Sequence, residues 1–376
     1  MSIDRLTNRP IDMPINIIEE KVYLNKRITP EEAIELFYSN DIFRLGRMAS
    51  YATEKKNKKN VYFIHNRHIN PTNICVNRCK FCAFSKDKGE NGAYQLTLGE
   101  ILEKARSAEK GVSEFHIVGG LHPDLPFEFY LEMLRALKKE FSHIHIQAFT
   151  AVEIDYFSRI SALPHKETLL RLKEAGLGSL PGGGAEIFQA NVRNAICEEK
   201  ISGERWLEVM EAAHSIGLKS NATMLYGHIE GYEDRVAHMS SLRELQDRTG
   251  GFQAFIPLPF HPHNTRIKRR LKETTGMDDL KTLAISRIFL DNFDHIKAFW
   301  IMLGEKMAQV SLSFGVDDID GTVVEEKITH AAGAKTSEEL TKEEIINLIQ
   351  KAGKVPVERD TLYNIIRMYE HEHSTV

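Results

Sequence analysis

Three of the four cysteines in this chain lie within eight residues of each other, in the segment HINPTNICVNRCKFCAFS (68–85). Three residues separate Cys75 from Cys79, and two residues separate Cys79 from Cys82. Thiolates are strong ligands for zinc and for iron–sulfur clusters, so this dense group of thiols indicates a metal site. The remaining cysteine, Cys197, is distant in sequence and is interpreted as a small buried thiol.

Two kinds of metal site are compatible with three neighbouring cysteines. A structural zinc ion usually takes four ligands, and His65 or His68 could supply the fourth in a zinc-stabilised scaffold without catalytic activity. A four-iron cluster held by three cysteines instead leaves one iron without a protein ligand, where a small molecule can bind. The spacing, and the position of the cysteines just after a predicted strand, favour the open iron–sulfur cluster.

The composition is that of a chain with a large core and a balanced surface. Its 376 residues are 42% hydrophobic, and 49 Lys and Arg stand against 53 Asp and Glu. This balance gives no electrostatic reason to expect nucleic acid or membranes as partners. The first residues contain no apolar signal segment, and the longest apolar runs are too short to cross a bilayer. We therefore expect a cytoplasmic enzyme whose cysteines stay reduced.

Strands and helices are predicted to alternate from residue 61 onward. Alternation of this kind predicts parallel strands, and the apolar character of each strand indicates that helices cover both faces. Eight such units would close a (β/α)8 barrel of the TIM type, in the α/β class. The predicted strands cover 61–70, 113–120, 143–150, 177–183, 219–227, 252–260 and 295–303, with a very short eighth strand within 316–322.

The segments on either side of the barrel are predicted to be helical. The sequence divides into an N-terminal helical extension (1–60), the barrel (61–330) and a C-terminal helical segment packed on the barrel (331–376). Three capping boxes predict helix starts, each with a threonine followed three residues later by glutamate. They lie at Thr29, Thr97 and Thr341, and a fourth box at Thr322, whose Glu325 lies outside the residues that the structure describes, predicts a helix start at the barrel rim.

Polar residues near the C-terminal ends of the barrel strands are candidates for the site, because such barrels place their chemistry there. An internal hydrogen bond is the alternative role for each of them. Arg193 could hold a carboxylate bidentately, and His228 or His261 could act as a general acid or base. The further candidates are His68, Asn70, Gln147, Thr150, Asn221, Thr223 and Gln253.

The pattern Cys-x3-Cys-x2-Cys, with Phe81 before the last cysteine, resembles the signature of the radical S-adenosylmethionine (SAM) superfamily. This resemblance implies that Cys75, Cys79 and Cys82 hold a [4Fe–4S] cluster whose fourth iron binds SAM. One electron, from a low-potential donor such as flavodoxin or ferredoxin, would then cleave SAM to methionine and a 5′-deoxyadenosyl radical.

Two glycine-rich segments extend the resemblance to the SAM-binding residues. Gly119 and Gly120 resemble a Gly-Gly-Glu motif whose backbone receives the SAM amine, although Leu121 replaces the glutamate. Glu186, after the glycines of SLPGGGAEIF, is the candidate for a polar contact to SAM or substrate. A tight turn and a charged first-turn residue are the alternative explanations of these two segments.

Several longer segments together resemble the aminofutalosine synthase family of radical SAM enzymes. They are HINPTNICVNRCKFCAFS, SLPGGGAEIF, SNATMLYGHIE, GGFQAFIPLPFHP and DDIDGTVVEEKI. The resemblance implies that the radical adds to the vinyl carbon of an anionic enol-ether benzoate, 3-[(1-carboxyvinyl)oxy]benzoate. Loss of a carboxylate would give 6-amino-6-deoxyfutalosine for menaquinone biosynthesis, with SAM as co-substrate. Dehypoxanthine futalosine cyclase and the deazaflavin cofactor synthase subunits are the alternatives, and the cysteine pattern does not separate them.

Overall fold

The computed structural model describes residues 14–108, 110–267, 273–323, 327–334, 336–337 and 339–369. Three helices precede the first strand, and the remaining helices are interleaved with strands. The helices are α1 Ile15–Tyr23, α2 Pro30–Tyr38, α3 Ile42–Asn57, α4 Leu98–Arg106, α5 Phe127–Glu140, α6 Ala151–Ser161, α7 His165–Ala175, α8 Ala190–Cys197, α9 Gly203–Ser215, α10 Tyr232–Thr249, α11 Gly276–Phe289, α12 Trp300–Leu303, α13 Glu305–Ser311, α14 Ile328–Ala331 and α15 Lys342–Lys351.

The strands form one parallel sheet of seven strands and a second sheet of four. The strands of the seven-stranded sheet are adjacent in the order in which they occur in the chain, as the βα alternation predicts. The strands are β1 Asn60–Ile64, β2 Asn66–Ile69, β3 Glu114–Ile117, β4 His145–Ala148, β5 Ser179–Leu180, β6 Lys219–Tyr226, β7 Phe252–Pro259, β8 His295–Ile296, β9 Asp318–Gly321, β10 Val355–Arg359 and β11 Ile365–Met368.

Strand β9 connects the two sides of the curled sheet. It pairs in parallel with β1, and a single bridge joins Asp318 to Lys297, which follows β8. Strands β1 and β2 are one stretch of chain interrupted at His65, and β2 is the first strand of the seven-stranded sheet. Hydrogen bonds therefore run around the whole ring, which is the (β/α)8 barrel expected from the sequence.

The interruption at His65 lets one stretch of chain serve two sheets. Its upper half, β2, pairs with β3, whereas its lower half, β1, pairs with β10 on that side. Thr322 stabilises the junction, because its hydroxyl donates to the Asn66 carbonyl (3.0 Å) and accepts from the Asn66 amide (3.2 Å). The hairpin of β10 and β11 thus extends the barrel wall below β3.

The helices bury apolar faces against the outside of the barrel. The predicted apolar face of α9 is buried at Trp206, Met210 and Ala213, which are fully inaccessible to solvent. The N-terminal extension covers part of the same surface, with α2 against α10 and α3 against α11. The capping boxes predicted at Thr29, Thr97 and Thr341 are all confirmed. No helix in the described ranges is both long and apolar enough to span a membrane.

Three local predictions need correction. The helical stretch expected over 153–175 is divided into α6 and α7, since Pro164 lacks an amide proton and disfavours a helical conformation in the residue before it. The strand expected over 295–303 has only two residues, and its apolar end forms α12. The helix expected in 331–376 is present as α15, but β10 and β11 follow it, so this segment is not purely helical.

A buried ionic network ties β8, β9, α3 and α11 together at the N-terminal end of the barrel. Asp317, which is fully buried, pairs with the buried Arg287 and accepts hydrogen bonds from His295 (2.6 Å) and Asn57 (2.7 Å). It also accepts from the Ile296 amide (2.9 Å). The hydrogen-bond partners of this carboxylate lie on α3, α11 and β8, so the network fixes the last strands against the outer helices.

Replacing Asp317 with alanine is expected to destabilise the protein by about 3–5 kcal/mol, because it leaves the Arg287 charge buried without a partner. The measurement is the free energy of unfolding in urea, with both proteins in the same metal-loading state. Glu167→Ala is the matched control, since its ion pair with Arg171 (3.0 Å) is exposed and contributes less than about 1 kcal/mol. Equal losses for the two variants would contradict the stabilising role of the network.

Candidate active site

One cavity of about 340 Å³ opens at the C-terminal ends of the barrel strands. Its floor consists of residues on or directly after the strands, and its mouth consists of the loops that follow them. The predicted site residues that line it are His68, Cys75, Cys79, Phe81, Cys82, Gly119, Gly120, Gln147, Thr150, Glu186, Asn221, Thr223 and His261. The barrel therefore brings together most of the residues singled out from the sequence.

The three neighbouring cysteines lie on one loop at the cavity mouth. Backbone hydrogen bonds shape this loop, with the Cys75 amide donating to Lys86 (3.1 Å) and the Cys82 amide donating to Cys79 (3.1 Å). The loop is also anchored from outside, because the Arg266 amide donates to the Lys80 carbonyl (2.7 Å). All three thiols are free of disulfides and line the cavity, so they are available to a group bound there.

Burial favours the protonated form of two of these thiols when no metal is bound. Burial raises the pKa of the Cys79 thiol to about 12 and also raises the pKa of Cys75. A bound metal cation reverses this effect, because a coordinating thiol is deprotonated outright. Within the described ranges, no three His, Cys, Asp or Glu side chains converge on a point for a single metal ion. The thiolates of a four-iron cluster do not need to converge in this way, since each binds a different iron.

Cys197 lies beside the loop but does not line the cavity. It is buried and packs in a small apolar group with Cys79 and Ile196. The loop and this helix end are linked directly, as the Lys80 amide donates to the Ile196 carbonyl (2.8 Å). Cys197 is therefore placed as the buried thiol that the sequence predicted.

A glycine turn and a buried glutamate form the wall next to the cysteines. The Gly119 amide donates to the Glu153 carboxylate (3.1 Å), and the Gly120 amide donates to the Thr72 carbonyl (2.9 Å). A side chain at Gly120 would meet the Ile74 carbonyl oxygen at 2.2 Å, so only glycine fits there. An ammonium group carries only donors, so one bound at this turn would donate to the glycine carbonyls.

Glu153 completes the capping box that begins with Thr150, whose hydroxyl donates to its carboxylate at 2.8 Å. Burial raises the pKa of Glu153 to about 7, although the hydrogen bonds from Thr150 and Gly119 act in the opposite direction. The carboxyl group can therefore change protonation state near neutral pH. Glu153 lies on the cavity wall and places a carboxyl group beside this turn, where the sequence has Leu121 after the two glycines.

Glu186 forms a buried ion pair with Lys200 at the cavity mouth. The Lys200 ammonium also lies 4.9 Å from the centre of the Phe81 ring, within the cysteine loop. Burial alone would lower the pKa of Lys200, but the charge of Glu186 and the neighbouring thiols hold it above its usual value. This ammonium is thus a permanent positive charge beside the cysteines.

A second buried ion pair lies in the cavity floor. Lys297, directly after β8, pairs with Asp320 on β9, with Nζ and Oδ1 separated by 2.8 Å. Both side chains are almost completely buried and both line the cavity. Next to them, the rings of His68 and His116 stack with their centres 4.4 Å apart. Burial, then the charges of His116 and Lys297, hold the pKa of His68 well below its usual value.

The remaining lining candidates take part in hydrogen bonds of the wall. Gln147 donates to Ser179 (3.2 Å), Thr223 donates to the Gly182 carbonyl (2.9 Å), and His261 bonds the Met302 carbonyl (2.9 Å). Asn221 is buried on β6 and lines the cavity. Their contacts with a ligand stay a prediction.

Four sequence candidates lie elsewhere. Arg193 donates to the backbone carbonyls of Gly184 (3.0 Å), Ala185 (2.6 Å) and Ile201 (2.6 Å), so it holds the glycine loop rather than a carboxylate. Gln253, near the start of β7, donates to Thr361 of the C-terminal segment (2.9 Å). Asn70 donates to the Val118 carbonyl (2.9 Å) and joins two strands. Both ring nitrogens of His228 bond nearby backbone.

Five titratable residues that line the cavity were not predicted from the sequence: His116, Glu153, Lys200, Lys297 and Asp320. Lys297 and His116 could have been found, since each is a basic residue in an otherwise apolar predicted strand. Glu153 was hidden by its capping pattern, and Lys200 lies in a loop with no periodic signal.

Comparison with known proteins assigns both halves of the chain. Residues 69–242 match the radical SAM superfamily, and residues 249–372 match the CofH/MqnC C-terminal region. The chain is 47% identical to an aminodeoxyfutalosine synthase of Thermus thermophilus, over 94% of this chain and 96% of that one. It is 44% identical to an aminodeoxyfutalosine synthase of Streptomyces coelicolor, over 94% of each chain.

A differently named relative is almost as similar. The 5-amino-6-(D-ribitylamino)uracil–L-tyrosine 4-hydroxyphenyl transferase of Methanothermobacter thermautotrophicus is 43% identical, over 91% of this chain and 95% of that one. Identity of this level over whole chains shows common descent but does not separate two activities.

Solved structures agree with the barrel. The [FeFe]-hydrogenase maturase HydG from Carboxydothermus hydrogenoformans superimposes with a TM-score of 0.73 at 17% identity, covering 93% of this chain and 80% of that one. Methylornithine synthase gives 0.67 at 16% identity, covering 89% and 95%. The fold, the cysteine loop and the relatives agree: this chain belongs to the radical SAM superfamily of enzymes, which use a [4Fe–4S] cluster and SAM.

Proposed function

We propose that this enzyme is an aminodeoxyfutalosine synthase, which joins the 5′-deoxyadenosyl part of SAM to 3-[(1-carboxyvinyl)oxy]benzoate in menaquinone biosynthesis. The observation that supports the proposal most strongly is that the loop of three cysteines and a buried lysine of the floor line the same cavity. A cavity so arranged can hold a cluster-bound SAM above an anionic aromatic substrate. The 47% identity to the Thermus thermophilus synthase over nearly the whole chain supports the same assignment.

Cys75, Cys79 and Cys82 are proposed to hold the cluster, and Phe81, Gly119, Gly120 and Glu186 to surround SAM. When bound, the cluster supplies the electron that cleaves SAM to methionine and the 5′-deoxyadenosyl radical. The electron is proposed to come from a small low-potential protein such as a flavodoxin or ferredoxin.

The residues of this chain decide what the radical meets. The walls between mouth and floor are largely apolar, with Leu225, Ile256, Leu258 and Phe299 among the lining residues. Such walls exclude water, but their C–H bonds are themselves hydrogen sources for an alkyl radical, so the position of the substrate decides the outcome. Positioning the vinyl carbon next to C5′ then favours addition, because about 1.4 kcal/mol in barrier is a tenfold change in rate.

The 4-hydroxyphenyl transferase activity is the second candidate, since that relative is 43% identical over most of both chains. Assays with SAM and reductant separate the two candidates when run in parallel with each substrate set. One set is the carboxyvinyloxybenzoate, and the other is L-tyrosine with 5-amino-6-(D-ribitylamino)uracil. Turnover of the second set alone would replace the proposed function.

Replacing Cys75, Cys79 or Cys82 with alanine is expected to abolish cluster binding and turnover, because each thiolate is proposed to ligate one iron. Iron and sulfide content and the visible absorption after anaerobic reconstitution measure the loss. Cys197→Ala is the matched control, since this buried cysteine packs against Cys79 without lining the cavity, and it is expected to keep the cluster. Loss of iron from Cys197→Ala, with retention in one of the other three variants, would contradict the ligand assignment.

SAM labelled with carbon-13 in its ribose is expected to deliver the label to a product that contains the benzoate fragment, as measured by mass spectrometry. The reason is that the radical adds to the substrate, so SAM is consumed stoichiometrically. Free 5′-deoxyadenosine should be only a minor product. If the label appears mainly in 5′-deoxyadenosine carrying a substrate hydrogen, the enzyme abstracts hydrogen, and the cyclase becomes the better assignment.

A further inference from the structure

Two lysines are the long-chain cations among the described residues that line the cavity, and they occupy different levels of it. Lys200 lies at the mouth, where its ammonium pairs with Glu186 and faces the Phe81 ring of the cysteine loop. Lys297 lies in the floor, directly after β8 and bridged to Asp318 of β9. A ligand that reaches below the cysteine loop therefore meets Lys297.

The Lys297 ammonium is held in place and still has donors to offer. Its partner Asp320 accepts one hydrogen bond at 2.8 Å, and an ammonium carries three N–H donors. Asp320 is itself fixed, because its amide donates to the Asp318 carboxylate (2.7 Å). The Asp320 carboxylate is the counter-charge of this ammonium.

An unsatisfied polar atom lies beside this ion pair. His68 is 7% exposed and lines the cavity, and its Nε2 is buried without a hydrogen-bond partner in the described ranges. Leaving such an atom unpaired is unfavourable, so a ligand that supplies a partner is favoured. Lys297 and His68 together present a charge and a hydrogen-bonding atom to the same part of the floor.

Resting on the proposed function, we propose that Lys297 binds the ring carboxylate of the benzoate substrate and that His68 Nε2 hydrogen bonds the same ligand. A carboxylate that leaves water needs a charge-assisted partner, and Arg193 is committed to backbone carbonyls. The ring carboxylate is retained during the reaction, whereas the vinyl carboxylate is lost. The Lys297–Asp320 pair would hold the retained ring carboxylate in the floor, and the vinyl end of the substrate would then point toward the mouth.

The test measures binding of the saturated analogue 3-(1-carboxyethoxy)benzoate, which cannot accept the radical, to the cluster-loaded enzyme with SAM by calorimetry. Lys297→Met and the double variant Lys297→Met/Asp320→Asn are expected to bind about 30-fold more weakly, as loss of one charge-assisted hydrogen bond implies. The double variant leaves no unpaired buried carboxylate, so it keeps the test valid if the single variant folds poorly. Lys297→Arg should retain binding within about fivefold.

Two comparisons distinguish a ligand contact from a structural effect. Lys342→Met removes a partly buried pair with Glu358 (2.6 Å) that lies outside the cavity, and it should leave the affinity unchanged. The methyl ester of the ring carboxylate should bind wild-type enzyme about 30-fold more weakly than the diacid, and both alike in Lys297→Met. The ester comparison in wild-type enzyme needs no variant to fold.

The outcomes separate failure of this inference from failure of the proposed function. If wild-type enzyme binds the diacid and converts the substrate but does not discriminate against the ester, Lys297 does not bind the ring carboxylate. Equal affinity of wild type and the double variant would reject it in the same way. If wild-type enzyme neither binds the diacid nor converts the substrate, the proposed function is wrong and the inference falls with it.

Discussion

The hydrogen bonds that join β9 to both of its neighbours are the constraint on which the rest of this structure depends. A parallel sheet that stays open has two edges and spreads its strand ends along a line. Here β9 bonds β1 on one side and the segment after β8 on the other, so the ends of eight strands meet around one opening. The cysteine loop and the glycine turn follow the paired strands β2 and β3, and the closure brings the Lys297–Asp320 pair to the same opening.

Three of the buried ion pairs among the described residues have locations that follow from their surroundings. Arg287 and Asp317 lie at the closed end, surrounded by backbone groups, and hold strands to helices. Lys200–Glu186 and Lys297–Asp320 lie at the open end and face the cavity. At the N-terminal end of the barrel, Arg287 and Asp317 make their hydrogen bonds to groups of the protein itself. A pair that faces a cavity keeps donors or acceptors for a ligand, which is the physical difference between a structural and a functional ion pair here.

The sequence predicted what depends on short-range patterns. Strand order and helix starts follow from periodicity and capping, and the cysteine loop follows from spacing alone. The partner of a charged side chain depends on which strands become adjacent, and no local pattern carries that. Arg193 looked available for a carboxylate because its sequence neighbours do not reveal that three backbone carbonyls surround it. The pairing of Lys297 with Asp320 was not predictable for the same reason, since Asp320 approaches only when β9 enters the ring. The two C-terminal strands were missed because their pairing depends on β1, at the other end of the chain.

The interruption at His65 has a consequence for how the chain is made. Asn60 to Ile64 leave the ribosome long before Val355 to Arg359, with which they pair in parallel. Until that late segment arrives, one side of β1 has exposed backbone amides and carbonyls and can pair with the wrong chain. Contacts this distant in sequence also slow folding, because a long loop must close before they form. One side of β1 therefore stays unpaired until β10 has been synthesised, and β1 is the strand that must be shielded until then.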